Sequence, residues 1–150
     1  MSVTDLVAEL RQVLPKILAP RPVLLAYLHG SLARGWATPL SDIDIALVLP
    51  TELPALTQLD LELDIEGELS AIGFPNADVR SINRAPLAVL GQVVTQGILL
   101  FCRDEAQRCE FEDRIRQQYQ AMLPALNEET WEYIRNAVAE LSARGLYRGS

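Results

Sequence analysis

The 150-residue chain has few of the residues on which several common functions depend. Its single lysine and its net charge of −7 argue against non-specific nucleic-acid binding, because such binding needs Lys and Arg to neutralise phosphates. The single histidine, His29, has no ligand set around it, which argues against a zinc-histidine or Ser-His-Asp site, so we interpret it as a packing or turn residue. Cys102 and Cys109 lack the spacing of a zinc site or a redox pair, and we predict reduced thiols in or near the core.

Long apolar runs are also missing. No stretch reaches the length of a membrane span, and the N-terminus lacks the charged-then-apolar pattern of a signal peptide. These two absences predict a cytoplasmic protein without a membrane partner. Apolar residues make up 49% of the chain and charged residues 22%, as in soluble globular proteins. The length predicts one domain with a single core.

Basic residues are absent from one third of the chain. Residues 35–79 contain nine acidic residues and no basic one. Such a segment attracts cations or a basic partner. For Glu52 and the acidic cluster of residues 60–68, a solvated helix face is an equally good interpretation.

The sequence does contain a compact polar motif between two apolar runs. The first run, Val23–Leu28, leads to Gly30-Ser31, and the second run follows Asp42-Ile43-Asp44. If residues 43–49 form a strand, Asp42 and Asp44 lie on one face, because side chains two apart in a strand point the same way. Two carboxylates held together need a shared proton or cations, and hard oxygen ligands suit Mg²⁺.

The Gly30-Ser31 turn supplies a complementary anion site. Glycine allows the backbone to approach a ligand closely, and Ser31 can cap a helical turn whose free N–H groups face an anion. A triphosphate could therefore bridge this turn and the metal ions. Arg34 could pair with a phosphate or with a motif aspartate, and the Ser41 hydroxyl could support the turn.

Gly30-Ser31, ten intervening residues and then Asp42-x-Asp44 resemble the signature of the DNA polymerase beta-type nucleotidyltransferase superfamily. The local sequence is most similar to its minimal nucleotidyltransferase (MNT) branch, and a weaker likeness extends to about Pro124. The resemblance implies an α+β (mixed α/β) nucleotidyltransferase fold, with a central mixed sheet of four to five strands flanked by helices. It places the core in residues 1–103 and extra C-terminal helices in residues 104–145.

The resemblance also implies a chemistry. Asp42, Asp44 and Asp78 would be the catalytic residues and the ligands of two Mg²⁺ ions, with Asp78 as the carboxylate from a neighbouring strand. Gly30 and Ser31 would hold the phosphates of ATP. Members of this branch commonly act as antitoxins that transfer AMP to a tyrosine of a HEPN-domain ribonuclease toxin. The resemblance therefore implies a HEPN toxin as partner.

Several assignments stay open at this stage. Glu66 and Glu68 are alternatives to Asp78 as the third metal ligand. Arg80 and Arg84 could contact substrate, but we expect surface salt bridges. Trp36 could be a partner contact or a lid over the turn. Two other functions compete with AMP transfer to a toxin: neutralisation of a partner by binding alone, and nucleotidyl transfer to a small molecule of the aminoglycoside type.

Apolar spacing and turn residues predict an alternation of helices and strands. Residues 51–72 are ambiguous, because Leu59 to Glu66 alternates as a strand would, but the segment is long and rich in Leu and Glu, so we predict a helix. The other predicted elements are a helix to about Leu18, strands at 23–28, 43–49, 77–82 and 98–102, a helix at 87–96, a helix from Asp104 and a final helix capped by Asn127.

Overall fold

The structure is a computed structural model that describes residues 2–30, 33, 42–122 and 128–144. Helices and strands alternate along most of the chain, as the sequence predicts. In chain order the elements are α1 (Val3–Leu18), β1 (Leu25–His29), β2 (Ile43–Val48), α2 (Ala55–Ala71), β3 (Ala77–Ser81), α3 (Leu87–Gln96), β4 (Ile98–Cys102), α4 (Glu105–Met122) and α5 (Glu128–Arg144).

The four described strands form one mixed sheet in the order β3-β2-β1-β4. β1 pairs antiparallel with both β2 and β4, whereas β2 and β3 run parallel. The mixed sheet confirms the predicted fold class. The parallel pair is joined through α2, as expected because parallel neighbours need a long crossover connection.

The sheet separates two apolar layers. One face packs against α1 and α2 and carries Ile43, Ile45 and Leu47 of β2. The opposite face packs against α3 and α4 and carries Ala46 and Val48. Because side chains alternate along a strand, β2 contributes to both layers, which explains its almost continuous apolar sequence.

The helix predictions are confirmed, including the ambiguous one. Ser2 caps α1 in a capping box with Asp5, and the Asp104 side chain accepts a hydrogen bond from Gln107 N at the start of α4. Residues 55–71 form a helix, so the strand-like alternation around Leu59 is misleading. The predicted cap Asn127 lies outside the described residues.

Two carboxylates of α2 explain part of its acidic sequence. Glu62 Oε2 accepts a hydrogen bond from Ser81 N at 2.7 Å, and Glu66 Oε1 accepts one from Val79 N at 2.8 Å. Since β3 is one of the two edge strands of the described sheet, no described strand accepts hydrogen bonds from these N–H groups. The two glutamates, one helical turn apart, thus occupy donors that would otherwise remain available for pairing with another chain.

Both cysteines are free thiols, but only one lies near the core. Cys102 is partly buried at the end of β4, whereas Cys109 is exposed on α4. The prediction of a near-core position is therefore wrong for Cys109. None of the described helices is both long enough and apolar enough to cross a membrane.

The contact between α3 and α4 depends on a glycine. Gly91 of α3 lies directly under the ring of Tyr119, which is buried on α4, and Gln92 Nε2 donates to the Tyr119 hydroxyl at 3.0 Å. A Cβ atom at Gly91 would overlap the ring. The two helices can therefore approach this closely only because position 91 has no side chain.

We expect Gly91→Ala to destabilise the protein by about 2 kcal/mol, the usual cost of forcing an extra carbon into a packed contact. Gly67→Ala is the matched control, because Gly67 lies within a helix and a Cβ there meets nothing within 4 Å. That control should gain about 0.5–1 kcal/mol from lower chain entropy in the unfolded state. Urea unfolding measures both, and equal effects of the two substitutions would contradict the packing argument.

Candidate active site

Two aspartates lie side by side on adjacent strands. Asp44 is the second residue of β2 and Asp78 the second residue of β3, and their Cα atoms are register partners in the parallel pair. Asp42 precedes β2 and is exposed, and its charge also acts on Asp44. The sheet therefore pairs Asp44 with Asp78, and Asp42 lies close enough for its charge to act on Asp44.

Gly30 lies at the same end of the sheet as the two aspartates, on the β1 side of Asp44. It follows His29, whose Cα pairs with that of Asp44 across β1 and β2. Gly30 has a φ of +77°, which side-chain-bearing residues rarely adopt, and a Cβ there would collide with Asp44 Oδ2. The sequence suggests that glycine makes room for a ligand; in the structure the missing side chain also makes room for the Asp44 carboxylate.

The surroundings of Asp44 disfavour its charged form. Burial, followed by the charges of Asp78 and Asp42, raises the pKa of Asp44 to about 7. Among the described groups, too little positive charge lies beside Asp44 to offset its burial and the two neighbouring negative charges. Such perturbed groups in clefts are typical of functional sites.

Arg80 is not the surface residue that we expected. Its side chain is only 8% exposed, and Nη2 lies 2.9 Å from the carboxylate of Asp78. The prediction of a surface salt bridge is therefore wrong for Arg80, because residue 80 shares the face of Asp78 that points into the α3 and α4 layer. Arg84 does fit that prediction: it is exposed and lies 3.7 Å from Glu52.

The alternative third acids have other contacts. Glu66 accepts the hydrogen bond from Val79 N at the edge of β3, and Glu68 pairs with Arg21 at 2.9 Å. Neither pairs in register with Asp44, whereas Asp78 does. Among the acids considered, the structure therefore favours Asp78.

Four residues of the predicted site fall outside the described part of the chain: Ser31, Arg34, Ser41 and Trp36. The assignments of the first three to phosphate binding, and of Trp36 to a lid or partner contact, stay predictions.

Mg²⁺ fits the donors at this edge, although the described residues contain no group of three or more His, Cys, Asp or Glu arranged to hold a metal ion. Carboxylate oxygens are the ligands that Mg²⁺ prefers, and it commonly takes only one or two of them and leaves other positions to water and phosphates. The raised pKa of Asp44 shows that a cation would relieve the repulsion there.

A cleft lies beside Gly30, between the end of β1 and helices α3 and α5. Apolar Val93 and Val138 and the polar Gln92 line it, and Gly30 and His29 close one end. His29 is buried at the end of β1, and its interpretation as a packing or turn residue stays a prediction. Sequence reasoning missed the cleft because its walls come from distant parts of the chain.

A family model described as "Polymerase beta, Nucleotidyltransferase" matches residues 12–106, well over half of the chain. The chain belongs to this nucleotidyltransferase family. The matched segment contains Gly30, Asp42, Asp44 and Asp78. No curated protein matches the chain significantly.

Solved structures of toxin–antitoxin complexes resemble this nucleotidyltransferase. One, described as a toxin–antitoxin with AMP-PNP, has 24% identity and a TM-score of 0.60, covering 86% of this chain and 98% of that chain. A second, a tri-AMPylated Shewanella oneidensis HEPN toxin in complex with an MNT antitoxin, has 22% identity and a TM-score of 0.59, covering 89% and 99%. A third, the toxin–antitoxin MntA-HepT, has 22% identity and a TM-score of 0.58, covering 88% and 99%. At these identities the likeness shows a shared fold.

Proposed function

We propose that this chain is a Mg²⁺-dependent adenylyltransferase that moves AMP from ATP to a hydroxyl, most simply a tyrosine, of a partner HEPN ribonuclease toxin, and so acts as its antitoxin. The observation that carries the proposal is the pairing of Asp44 with Asp78 beside Gly30 in a chain of the nucleotidyltransferase family. The similar solved structures include a toxin–antitoxin with AMP-PNP and an AMPylated HEPN toxin with its MNT antitoxin.

Asp42, Asp44 and Asp78 would hold the metal ions, two being the number that in-line phosphoryl transfer commonly uses. When bound, Mg²⁺ neutralises phosphate charge and stabilises the oxygen that leaves with pyrophosphate. The backbones of Asp44 and Asp78 have fixed positions because both belong to the sheet, so cations held by the two carboxylates would have fixed positions from which to orient the phosphates.

The Gly30-Ser31 turn would hold the β- and γ-phosphates, with Arg34 and Ser41 in supporting roles. In the transfer, the acceptor oxygen forms a bond to the α-phosphorus while the bond to the pyrophosphate oxygen breaks. Asp78 can accept the proton of the acceptor hydroxyl, because its carboxylate is 19% exposed beside Asp44 and so can be reached from outside.

We place the nucleoside against the mouth of the cleft beside Gly30. Val93 and Val138 offer apolar surface for a base, and Gln92 offers a polar side chain. Ligand sites typically combine such apolar walls with a few polar groups. A triphosphate at the Gly30 turn would leave its nucleoside next to this cleft.

A protein acceptor agrees with the charge of α2, which contains five acidic and no basic residues. Asp60 and Asp64 are exposed there, and such a surface attracts a basic partner such as an RNA-cleaving enzyme. We place the reaction in the cytoplasm, where RNA, ATP and Mg²⁺ occur together.

Mass spectrometry of the toxin encoded beside this chain tests the proposal. After incubation with the purified chain, ATP and Mg²⁺, the toxin should gain the mass of one or more AMP units and lose ribonuclease activity. Omitting Mg²⁺ should prevent both changes. An unmodified toxin would refute AMP transfer, and AMP transfer to an aminoglycoside instead would support the small-molecule alternative.

The double substitution Asp42→Asn, Asp44→Asn separates catalysis from binding. We expect it to abolish both the AMP mass shift and neutralisation of the toxin in growing cells. Glu9→Gln, Glu110→Gln is the matched control, because it removes the same charge from exposed positions of α1 and α4 that have no part in the proposal. Full neutralisation by the active-site double variant would instead favour an antitoxin that acts by binding alone.

A further inference from the structure

Arg80 is a buried cation beside the catalytic acids. It lies two residues after Asp78 on β3, on the same face, and its register partner on β2 is Ala46. Because the side chain of Ala46 is small, β2 fills little of the space next to Arg80. Nη2 lies 2.9 Å from the Asp78 carboxylate, and the Arg80 side chain is 8% exposed.

Among the residues that the structure describes, Arg80 makes fewer hydrogen bonds than a structural arginine does. Arg103, for comparison, donates to the carbonyl oxygens of Val23, Leu18, Ala19 and Arg21, and thereby ties the start of β1 to the end of β4. Within the described part of the chain, Nε and Nη1 of Arg80 are buried and have no partner. Buried donors without partners lower stability, so the fold alone does not account for Arg80.

The backbone beside Asp78 is fixed independently of Arg80. Val79 N donates to Glu66, and the strand pairs with β2. The side chain of Asp78 is 19% exposed, and its carboxylate accepts a hydrogen bond from Arg80 Nη2 at 2.9 Å. This contact holds the carboxylate in one direction.

We propose that Arg80 is a positioning residue for AMP transfer, which holds the Asp78 carboxylate in the direction that faces Asp44. This inference rests on the proposed function of the site. Arg80 acts through Asp78 and stabilises the orientation of a group that the reaction needs. Residues that orient the ligands of a metal site typically change activity by 10- to 100-fold when they are replaced.

Steady-state transfer kinetics of Arg80→Gln and Arg80→Lys test this role. Arg80→Gln should lower kcat by about 10- to 100-fold and change the KM for ATP by less than about twofold, and Arg80→Lys should recover part of the loss. Arg84→Gln is the matched control, because Arg84 is an exposed arginine paired with Glu52. An unchanged kcat, or a raised KM at constant kcat, would overturn the positioning role.

A double-mutant cycle tests whether the effect passes through Asp78. In an Asp78→Ala background, replacing Arg80 should cost no further activity, whereas additive losses would overturn the proposal. Urea unfolding should show only a small change in stability for Arg80→Gln, since the variant loses the ion pair with Asp78 but also loses unpaired buried donors. A large loss of stability in both Arg80→Gln and Arg80→Lys would indicate a structural role and also overturn it.

Crystal structures give a readout that does not need transfer activity. The parent should show Asp78 in one rotamer directed at Asp44, and Arg80→Gln should show it displaced or in several rotamers. An unchanged Asp78 in the variant would overturn the inference. If the parent transferred no AMP to any partner, the proposed function would fail, and this comparison would still decide the role of Arg80.

Discussion

Replacing Asp44 by asparagine is expected to reduce AMP transfer by about a thousandfold or more, which corresponds to about 4 kcal/mol of lost transition-state stabilisation. Asp44 is two residues from Asp42 in the sequence and is the register partner of Asp78 in the sheet. It is therefore the carboxylate that interacts with both of the others. An asparagine keeps the shape of the side chain but lacks the negative charge that attracts a divalent cation. Initial rates with the partner toxin, measured at saturating Mg²⁺, provide the check.

The same substitution should stabilise the metal-free protein at high pH. Burial and the neighbouring carboxylates raise the pKa of Asp44 in the folded state to about 7 from an ordinary value of 3.8. Between these two values the folded protein binds more protons than the unfolded chain, so the contribution of Asp44 to stability falls as the pH rises and reaches its minimum above about pH 7. At pH 8, allowing for partial solvent screening, Asp44→Asn should be more stable by about 1–2 kcal/mol.

Urea unfolding at pH 4.5 and pH 8 without divalent cations measures this effect. The difference between parent and variant should nearly disappear at the lower pH, where Asp44 is protonated. Asp60→Asn serves as the control, because Asp60 is exposed on α2. A variant that is less stable than the parent at pH 8, or one that keeps a tenth of the transfer activity, would contradict the assignment of Asp44.

Local patterns were enough to predict most of the fold and the strand that carries Asp44. The continuous apolar run that begins at Ile43 predicts a strand covered on both faces apart from its metal-facing end, and β2 does contribute to both apolar layers. The capping residues Ser2 and Asp104 mark helix starts that the structure confirms. These features depend on neighbours in sequence, so one chain is sufficient to read them.

Features that depend on distant contacts were less accessible. The pairing of Asp78 with Asp44 was expected only from the family resemblance, because strand register is set by packing and by the α2 crossover. The burial of Arg80 could not be read locally, since its side chain is covered by elements distant in sequence. Glu62 and Glu66 looked like part of a solvated acidic face, whereas they cap the edge of β3.

The acidic residues of α2 have different physical roles. Glu62 and Glu66 stabilise the sheet edge, Glu68 pairs with Arg21, and Asp60 and Asp64 remain exposed. The charge available to a basic partner is therefore smaller than the count of acidic residues suggests. Asp60 and Asp64 are the positions of α2 where substitutions can test partner docking without disturbing the sheet.

Gly30→Ala is expected to destabilise the protein by about 3 kcal/mol and to reduce transfer by about 100-fold. The backbone cost comes from φ of +77°, about 1–2 kcal/mol for a residue with a side chain, and the rest from the collision of the new Cβ with Asp44 Oδ2. Relief of that collision moves the Asp44 carboxylate, and a displacement of about 1 Å at a reacting centre can cost about 100-fold in rate.

Gly73→Ala separates the two causes, because Gly73 has φ of +106° and a Cβ there meets nothing within 4 Å. It should show the backbone cost without the loss of transfer. In an Asp44→Ala background the collision is absent, so Gly30→Ala should then cost only about as much stability as Gly73→Ala. Unfolding free energies of the single and double variants measure this difference. If Gly30→Ala cost as much stability with Asp44→Ala as without it, the Asp44 carboxylate would not be what requires glycine at position 30.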